Sequence, residues 1–464
     1  MTQGGVAALL ALSYYLSPRW GYPGQALRAR DRVKMHAAGG ANFSCARDEG
    51  GLKQFLVISE LMKNRIILST LVIWFAQLHS LFAAPADDQQ LAAADNGFAF
   101  KFLKELATEQ PAANIFISPY SAATALQMVA DGAAGRTRTE MQLVLGTGGM
   151  SSNAVLAANQ EVAQVLHEAN PNITLTMANA LWYRMGAPVR PDYIARNQEF
   201  FGSTLDALDV ADPHATVVIN DWASEKTQGK ITHIADGLID PLFTRLILVN
   251  AVYFKAKWAD AFDIKDTKDE PFFPQHGEAK QVPMMTKTGT FAYRHGSGYQ
   301  AVRLPYQGDN LSMYVFLPDK GSSPEKLLNI LTGDTWQRVT KPGFGEQAGT
   351  LKLPRFKVDY SVELPTPLQR LGMKTAFLDD ADFSGIAPPP LFISKARQKT
   401  FVEVKEEGTE AAAATIVVMN DKAEPAEPEH LFSMVVDRPF LFLIEDNRTG
   451  IILFMGLVYD PQTE

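Results

Sequence analysis

The sequence contains very little cysteine: Cys45 is the one cysteine among 464 residues. A single cysteine forms no intrachain disulfide, so the fold must be held together by its core rather than by covalent cross-links. Basic charge is also scarce, because 43 Lys and Arg face 51 Asp and Glu and the net charge is −8. An acidic chain without a long basic run is a poor partner for a phosphate backbone, which argues against nucleic-acid binding.

Motifs of catalysis and metal binding are missing as well. The eight histidines are scattered singly, without the spacing of metal ligands. The sequence contains no G-x-S-x-G nucleophile elbow, G-x-G-x-x-G turn or P-loop. Acidic neighbours such as Asp379–Asp380 favour solvated or capping roles, since adjacent residues of a strand point to opposite faces. The sequence therefore predicts no metal, no cofactor and no enzymatic activity.

A secretory signal is present, but it does not stand at the beginning of the chain. Lys63 and Arg65 precede an apolar run, Ile66–Ala76, and alanines near Ala84 offer a cleavage site. The apolar run is short for a membrane span, which argues against a stable membrane association. We predict a signal peptide over residues 62–84 and a secreted protein, periplasmic in a bacterial host.

The signal-like segment divides the chain. Residues 1–61 are rich in Gly, Ala and Arg without a sustained period, so we expect a disordered, non-native extension from an upstream start. Residues 85–464 then form one domain that contains no cysteine, and we expect it to be a monomer.

Helical signals dominate the first part of this domain and strand signals the second. Apolar residues recur at helical spacing from Leu91 to Ala107, and Ser118 precedes Pro119 as a helix N-cap. The sequence "TRTE" at Thr137–Glu140 fits a capping box. Later runs such as "RLILVNAVYFKAKW", "LSMYVFLP" and "IILFMGLVY" are strand-like. This order predicts an α+β fold with large, mostly buried, mixed β-sheets.

Long segments of the chain resemble the serpin family almost continuously from Leu91 to Pro461. They are "NIFISPYSAATALQMVADGAAGRTRTEM", "INDWASEKTQGKI", "LVNAVYFKAKWADAF", "LPYQGDNLSMYVFLP", "LQRLGMKTAF", "EEGTEAAAAT" and "DRPFLFLIEDNRTGIILFMGLVYDP". The resemblance implies the serpin fold, with eight or nine helices and an exposed reactive-centre loop at about residues 406–430. It also implies that a protease cleaves this loop, which then inserts into the central sheet.

The segment "EEGTEAAAATIVVM", Glu406–Met419, combines very small side chains with β-branched ones. In a strand, alternate side chains fall on opposite faces, and small ones can slide under packed helices without overfilling the core. Gly408 allows the backbone torsion of a pivot. The resemblance makes this segment the hinge of the loop, which we assign to Glu406, Gly408, Thr409, Glu410, Ala411, Ala412, Ala413, Ala414 and Thr415.

The resemblance also implies residues that gate the central sheet. Ser118, Ser121 and Asn250 correspond to the family's shutter, and Gln398 stands where the family has histidine. Glutamine donates and accepts hydrogen bonds but carries no charge, which argues against a pH-sensitive gate at this position. Trp258 corresponds to the upper entry point of the sheet, with Glu406 at the base of the loop.

The scissile bond follows from counting along the loop. In the family it usually follows the seventeenth residue from the hinge glutamate, which places it between Lys422 and Ala423. A lysine there suits a trypsin-like pocket. The segment up to "RPF" is longer than usual, so Met419 and Asp421 stay open as alternatives.

Two functions are compatible with the resemblance. The first is a suicide inhibitor that traps a serine protease as a covalent acyl complex. The alternative is a non-inhibitory serpin that carries a ligand or acts as a chaperone. Bulky, charged or proline residues on the face shared by Thr409, Ala411, Ala413 and Thr415 would block insertion, and that face carries only alanine and threonine, which favours the inhibitor.

Overall fold

The computed structural model describes residues 87–167, 173–340, 343–409 and 431–462. All of them belong to one unit, Ala84–Glu464. The predicted extension (1–61) and signal peptide (62–84) lie outside the described residues, as does most of the reactive loop. Within the described ranges, no helix is long and apolar enough to cross a bilayer.

Nine α-helices occur in the described part of the chain. They are α1 Asp87–Glu109, α2 Pro119–Asp131, α3 Gly135–Leu145, α4 Ser152–His167, α5 Pro191–Phe201, α6 Ala215–Lys226, α7 Pro324–Leu327, α8 Gly333–Thr340 and α9 Pro365–Leu371. This number agrees with the predicted eight or nine.

Fifteen β-strands accompany these helices in the described ranges. They are β1 Ile115–Ile117, β2 Ile173–Arg184, β3 Thr204–Leu208, β4 Leu246–Lys257, β5 Lys268–Phe272, β6 Lys280–Gly296, β7 Tyr299–Pro305, β8 Leu311–Pro318, β9 Gly345–Pro354, β10 Phe356–Glu363, β11 Ile393–Lys405, β12 Gly408–Thr409, β13 Phe432–Val435, β14 Phe440–Asp446 and β15 Ile452–Val458.

The strands form two mixed sheets, as the α+β prediction requires. The nine-stranded sheet has the order β1-β15-β14-β8-β7-β6-β9-β13, and β5 pairs with β6 off this path. The six-stranded sheet has the order β10-β11-β12-β4-β2-β3, with a direct parallel pairing of β11 with β4 over much of their length. Strands β4, β8, β14 and β15 are almost completely buried, in accord with their continuous apolar runs.

Helix α2 lies between the two sheets and packs against β15, β4 and β2. It begins as predicted: the Ser118 side chain accepts a hydrogen bond from the backbone N–H of Ser121, and Pro119 takes the first helical position. The helix is buried from Pro119 to Val129. An element buried on all sides must present apolar or hydrogen-bonded groups to both sheets, and its alanine-rich sequence does so.

The predicted capping box at Thr137–Glu140 is wrong. Helix α3 begins two residues earlier, at Gly135, so both side chains lie inside the helix and serve other partners. The Thr137 hydroxyl accepts a hydrogen bond from the N–H of Asp382, and the Glu140 carboxylate accepts from the N–H groups of Lys374 and Thr375. These tertiary contacts replace the local ones that the four-residue pattern suggested.

Candidate functional site: the hinge and gate of the six-stranded sheet

The upper end of the six-stranded sheet contains a short wedge. Strands β11 and β4 pair directly as far as Phe401 opposite Tyr253. Above this point they separate, and β12 lies between them, antiparallel to both. The hinge of the predicted loop has therefore already entered the sheet by two residues, Gly408 and Thr409.

Gly408 is required at this position by its backbone and its surroundings. Its φ of 150° lies in a region that side chains of L-residues rarely adopt. A Cβ atom there would come within 2.1 Å of the carbonyl oxygen of Ala256 on β4. Gly408, the predicted pivot, therefore occupies a place where a side chain would clash with β4.

Thr409 is completely buried, and its hydroxyl hydrogen-bonds to the hydroxyl of Tyr306 at 2.8 Å. Burial raises the pKa of Tyr306 far above its usual range, so the phenol stays neutral. The first residue of the predicted insertion strand therefore faces the core. By the period of two in a strand, Ala411, Ala413 and Thr415 would face the same way on further insertion.

Glu406, predicted to lie at the base of the loop, is a buried anchor in the structure. Its carboxylate receives two side-chain N–H groups of Arg355 at 2.6 to 2.9 Å and the hydroxyl of Thr267 at 2.6 Å. Burial raises the pKa of this carboxyl, but these donors outweigh burial and hold the pKa below its usual value. The loop base is therefore fixed by a charged, hydrogen-bonded clamp.

Trp258, the predicted entry-point residue, bridges the two sides of the wedge. Its indole N–H donates to the carbonyl of Lys405 at 3.0 Å, and its backbone N–H donates to the carbonyl of Glu407 at 2.9 Å. The indole ring stacks on Tyr306, with ring centroids 4.6 Å apart. Opening the sheet beyond β12 must disturb these contacts.

The predicted gate residues meet at the centre of the same sheet. Ser118, Ser121, Asn250 and Gln398 are completely buried. Gln398 accepts from the backbone N–H of Ser118 at 3.0 Å and donates to its carbonyl at 2.8 Å. The Gln398 amide nitrogen also donates to the side-chain carbonyl of Asn250. The Asn250 amide nitrogen donates in turn to the Ser121 hydroxyl and to the side-chain carbonyl of Asn179.

The Gln398 amide makes more hydrogen bonds here than a neutral histidine could make. Neutral imidazole offers one donor and one acceptor, whereas the Gln398 amide uses one acceptor and two donors here. Gln398 lies opposite Asn250 across the β11–β4 pairing, and Asn250 lies opposite Asn179 across the β4–β2 pairing. A strand that enters between β11 and β4 must break the bond between Gln398 and Asn250.

A column of aromatic rings connects the gate with the entry point. Phe116 stacks on Phe454 at 5.4 Å, Phe454 packs against Phe254 at 5.2 Å, and Phe254 meets Tyr306 edge to face at 5.3 Å. Tyr306 then stacks on Trp258. The rings therefore form one continuous packed column between the two ends of the β11–β4 gap.

The sequence analysis missed four residues that complete this site: Asn179, Thr267, Tyr306 and Arg355. Each lies far along the chain from its partner, and each reaches the site only because strands from different segments become neighbours. Of these four residues, Asn179 had a signal in the sequence, because it is a polar residue among apolar ones in the strand-like run "ITLTMANALWYR".

Several predicted positions lie outside the described residues. They are the rest of the hinge and the candidates for the scissile bond: Glu410, Ala411, Ala412, Ala413, Ala414, Thr415, Met419, Asp421, Lys422 and Ala423. Within the described ranges, no cluster of three or more His, Cys, Asp or Glu side chains could hold a metal ion.

Comparison with known proteins identifies the family. The family model "Serpin (serine protease inhibitor)" matches residues 93–461. The leukocyte elastase inhibitor of Bos taurus is 37% identical over 384 residues, which cover 80% of this chain and all of the relative. This relative is named as an inhibitor of a protease, leukocyte elastase.

Solved structures agree with this assignment. Native tengpin, a thermophilic serpin, is 28% identical with a TM-score of 0.73, covering 80% of this chain and 94% of tengpin. Human thyroxine-binding globulin, solved with its ligand, is 26% identical with a TM-score of 0.73, covering 82% of this chain and all of that protein. The chain belongs to the serpin family.

Proposed function

We propose that this chain is a secreted, monomeric suicide inhibitor of serine proteases with trypsin-like specificity. The observation that carries the proposal is β12, because a hinge already seated between β11 and β4 is the first step of strand insertion. The target protease would cleave the loop of this protein, and the protein itself would not act as an enzyme. Its partner is a protease that becomes covalently attached to the loop.

The energy for trapping comes from completing the inserted strand. Each residue added between β11 and β4 gains main-chain hydrogen bonds on both sides, at a net of about 1 kcal/mol each. Roughly twenty such bonds, with burial of the alanine face, would release on the order of tens of kcal/mol. The uncleaved fold is then a kinetically trapped state, and serpin loop insertion is a known example of strand addition and of stored strain.

The length of the inserted strand accounts for inhibition. About 14 residues at roughly 3.3 Å per residue span nearly 50 Å. A protease held as an acyl complex at Lys422 would be carried along the sheet by that distance. Its active site would be distorted and deacylation would stall.

The test is adduct formation with a panel of trypsin, chymotrypsin and elastase. We expect a stoichiometric, SDS-stable adduct with trypsin, and mass spectrometry should locate cleavage after Lys422. Lys422→Ala should abolish the trypsin adduct, whereas Met419→Ala should leave it unchanged. Cleavage elsewhere in the loop without an adduct would contradict trypsin-like inhibition.

A matched pair of hinge variants tests the insertion step itself. Ala411→Glu places a charge on the face that Thr409 presents to the core, so this variant should be cleaved as a substrate without trapping the protease. Ala426→Glu adds the same charge beyond the predicted bond and should keep full inhibition. Equal behaviour of the two variants would argue against insertion.

Secretion rests on the predicted signal peptide. Expression of the complete chain, followed by N-terminal sequencing of the exported protein, should yield a mature end just after Ala84 or Ala86. A mature chain that begins before Met62 would contradict both the signal peptide and the non-native extension.

The carrier alternative keeps one supporting observation, the similarity to thyroxine-binding globulin, whose structure contains its ligand. A carrier would be cleaved without forming any SDS-stable adduct. The adduct experiment therefore separates the two functions directly.

A further inference from the structure

A cleft of about 160 Å³ lies beside the entry point of the sheet and shares Trp258 with it. Its floor is aromatic, formed by Trp258, Phe262 and Phe291. Its polar lining includes Lys287 and Arg303, with Asp260 and Glu346 on the same cleft. Small-molecule sites in proteins combine an apolar floor with a few convergent polar groups in this way.

The charges of the cleft are arranged with the cations inside and the carboxylates outside. The Lys287 side chain is 16% exposed and Arg303 27%, whereas their carboxylate partners Asp260 and Asp309 are 84% and 71% exposed. Glu346 is exposed as well. Because the carboxylate of each pair is mostly in water, the pair gains little from it, and a ligand anion can displace the carboxylate at small cost.

Lys287 is especially suited to an anionic aromatic ligand. Its ammonium lies 5.9 Å from the centre of the Phe262 ring, and burial lowers its pKa while Asp260 opposes this change. A partly desolvated ammonium gains more from a new anion than a fully hydrated one. Trp258, Phe262 and Phe291 are only 2%, 5% and 7% exposed, so a ring attached to that anion would contact the edges of the aromatic floor.

Two residues in the floor of the cleft, Trp258 and Phe262, are hydrogen-bonded to the hinge segment. Trp258 donates to the carbonyls of Lys405 and Glu407, and the backbone N–H of Phe262 donates to the carbonyl of Glu406 at 2.9 Å. A ligand packed on Trp258 and Phe262 would hold the side chains that bridge the wedge. Binding to this closed arrangement stabilises it by mass action and opposes further opening.

We propose that this cleft binds a small aromatic carboxylate and that occupancy restrains the hinge at β12. The binding part is independent of protease inhibition. The consequence for inhibition, a slower insertion of the loop, rests on the proposed function.

Binding is tested with phenylacetate as the probe and phenylacetamide as its neutral counterpart, by calorimetric titration of the uncleaved full chain. We expect phenylacetate to bind with a Kd on the order of 0.1–1 mM. Phenylacetamide should bind at least fivefold more weakly. Equal affinity for the two probes, or no binding of phenylacetate, would overturn the proposal and leave a solvent-filled cleft only.

Substitutions that remove a positive charge or a negative charge from the cleft test whether the probe binds there. Lys287→Met and Arg303→Gln should each weaken phenylacetate binding about tenfold, while Glu346→Gln should strengthen it about twofold. Lys104→Met and Arg370→Gln, which remove cations on α1 and α9, serve as matched controls and should leave the Kd unchanged. Glu346→Gln changes an exposed side chain, so its effect does not depend on tolerance of a substitution in the cleft.

Hydrogen exchange tests the connection to the hinge without a protease. Saturating phenylacetate should slow exchange of the amides of Trp258 and Thr409 at least threefold, and amides on α4 should not change. Unchanged exchange at both positions with bound probe would overturn the restraint of the hinge. A protein that binds the probe but forms no adduct with any protease would contradict the proposed function and not the cleft.

Discussion

Asp95 is a buried carboxyl in the helical layer without a cationic partner among its side-chain hydrogen bonds. It lies on α1 and is 1% exposed. Its Oδ1 accepts from the Gln127 amide on α2 at 2.9 Å, and Gln127 in turn accepts from Asn159 on α4 at 2.7 Å. Burial raises the pKa of Asp95 to about 8, and the bond from Gln127 only partly offsets this. The residue is therefore neutral in the folded protein near pH 7.

The raised pKa makes folding stability depend on pH. The folded pKa lies above the unfolded value of 3.8, so the contribution of Asp95 is complete below that pH and is lost as the pH rises to about 8. The loss amounts to about 1.4 kcal/mol per pH unit in this window. We expect Asp95→Asn to flatten the decline of the free energy of unfolding between pH 5 and pH 9.

Urea unfolding at pH 5, 7 and 9 measures this effect. Asp319→Asn, which changes an exposed carboxyl, provides the control and should reproduce the wild-type profile. If Asp95→Asn were to follow the same decline as the wild type, Asp95 would be charged in the fold and the assigned environment would be wrong.

Glu406 and Arg355 allow a direct comparison of a buried with a half-exposed ion pair. The Glu406 side chain is 7% exposed, and Glu406→Gln leaves Arg355 without its counterion. We expect this change to lower the free energy of unfolding by about 3 kcal/mol. Glu270 pairs with Lys352 at the same 2.6 Å but is 27% exposed, so Glu270→Gln should cost less than about 1 kcal/mol. Chemical denaturation of both variants decides whether burial distinguishes the two pairs.

At the scale of the element, β12 depends on one backbone position. Gly408→Ala would place a methyl group 2.1 Å from the carbonyl oxygen of Ala256, in a conformation that alanine rarely adopts. We expect the variant to expel β12 from the sheet. The amide of Thr409 should then exchange at least tenfold faster, and a larger share of the protein should be cleaved as a substrate.

Gly289→Ala is the matched control, because a Cβ at that position on β6 meets no atom within 4 Å. It should leave exchange at Thr409 unchanged. Retained protection of Thr409 in the Gly408→Ala variant would show that the wedge tolerates a side chain, against the steric argument.

Sequence patterns predicted some elements well and others poorly for a physical reason. The run "ITLTMANALWYR" became β2 and Ser118 capped α2, because period and capping are local properties. The capping box at Thr137 failed, because its side chains bond to a segment more than 230 residues away. Strand β12 was predicted as part of a loop, since two residues carry no pattern and their pairing depends on a gap between β11 and β4.

At the scale of the whole molecule, the two ends of the β11–β4 gap differ in chemistry. The gate is a neutral amide network around Gln398 and Asn250, and the entry point is a charged and aromatic clamp around Glu406 and Trp258. The first disfavours opening because buried polar groups would lose their partners. The second disfavours it because an ion pair and stacked rings must separate.

Cleavage of the loop tests the trapped state of the whole fold. If the severed segment inserts completely, the free energy of unfolding rises steeply, and the melting temperature should increase by about 20 °C or more. Calorimetry before and after limited proteolysis measures the change. A cleaved protein that melts within a few degrees of the intact one would show that the loop stays out, as in a carrier.

The sequence by itself determined the family, the α+β class and the composition of the predicted hinge, because long motifs and side-chain size are local properties of the chain. Tertiary structure alone decided that Gly408 and Thr409 already occupy the sheet, that Arg355 and Thr267 hold Glu406, and that an aromatic cleft lies beside Trp258. These features arise where strands far apart in the chain become neighbours. Their energies come from burial and pairing across those strands, which no local pattern encodes.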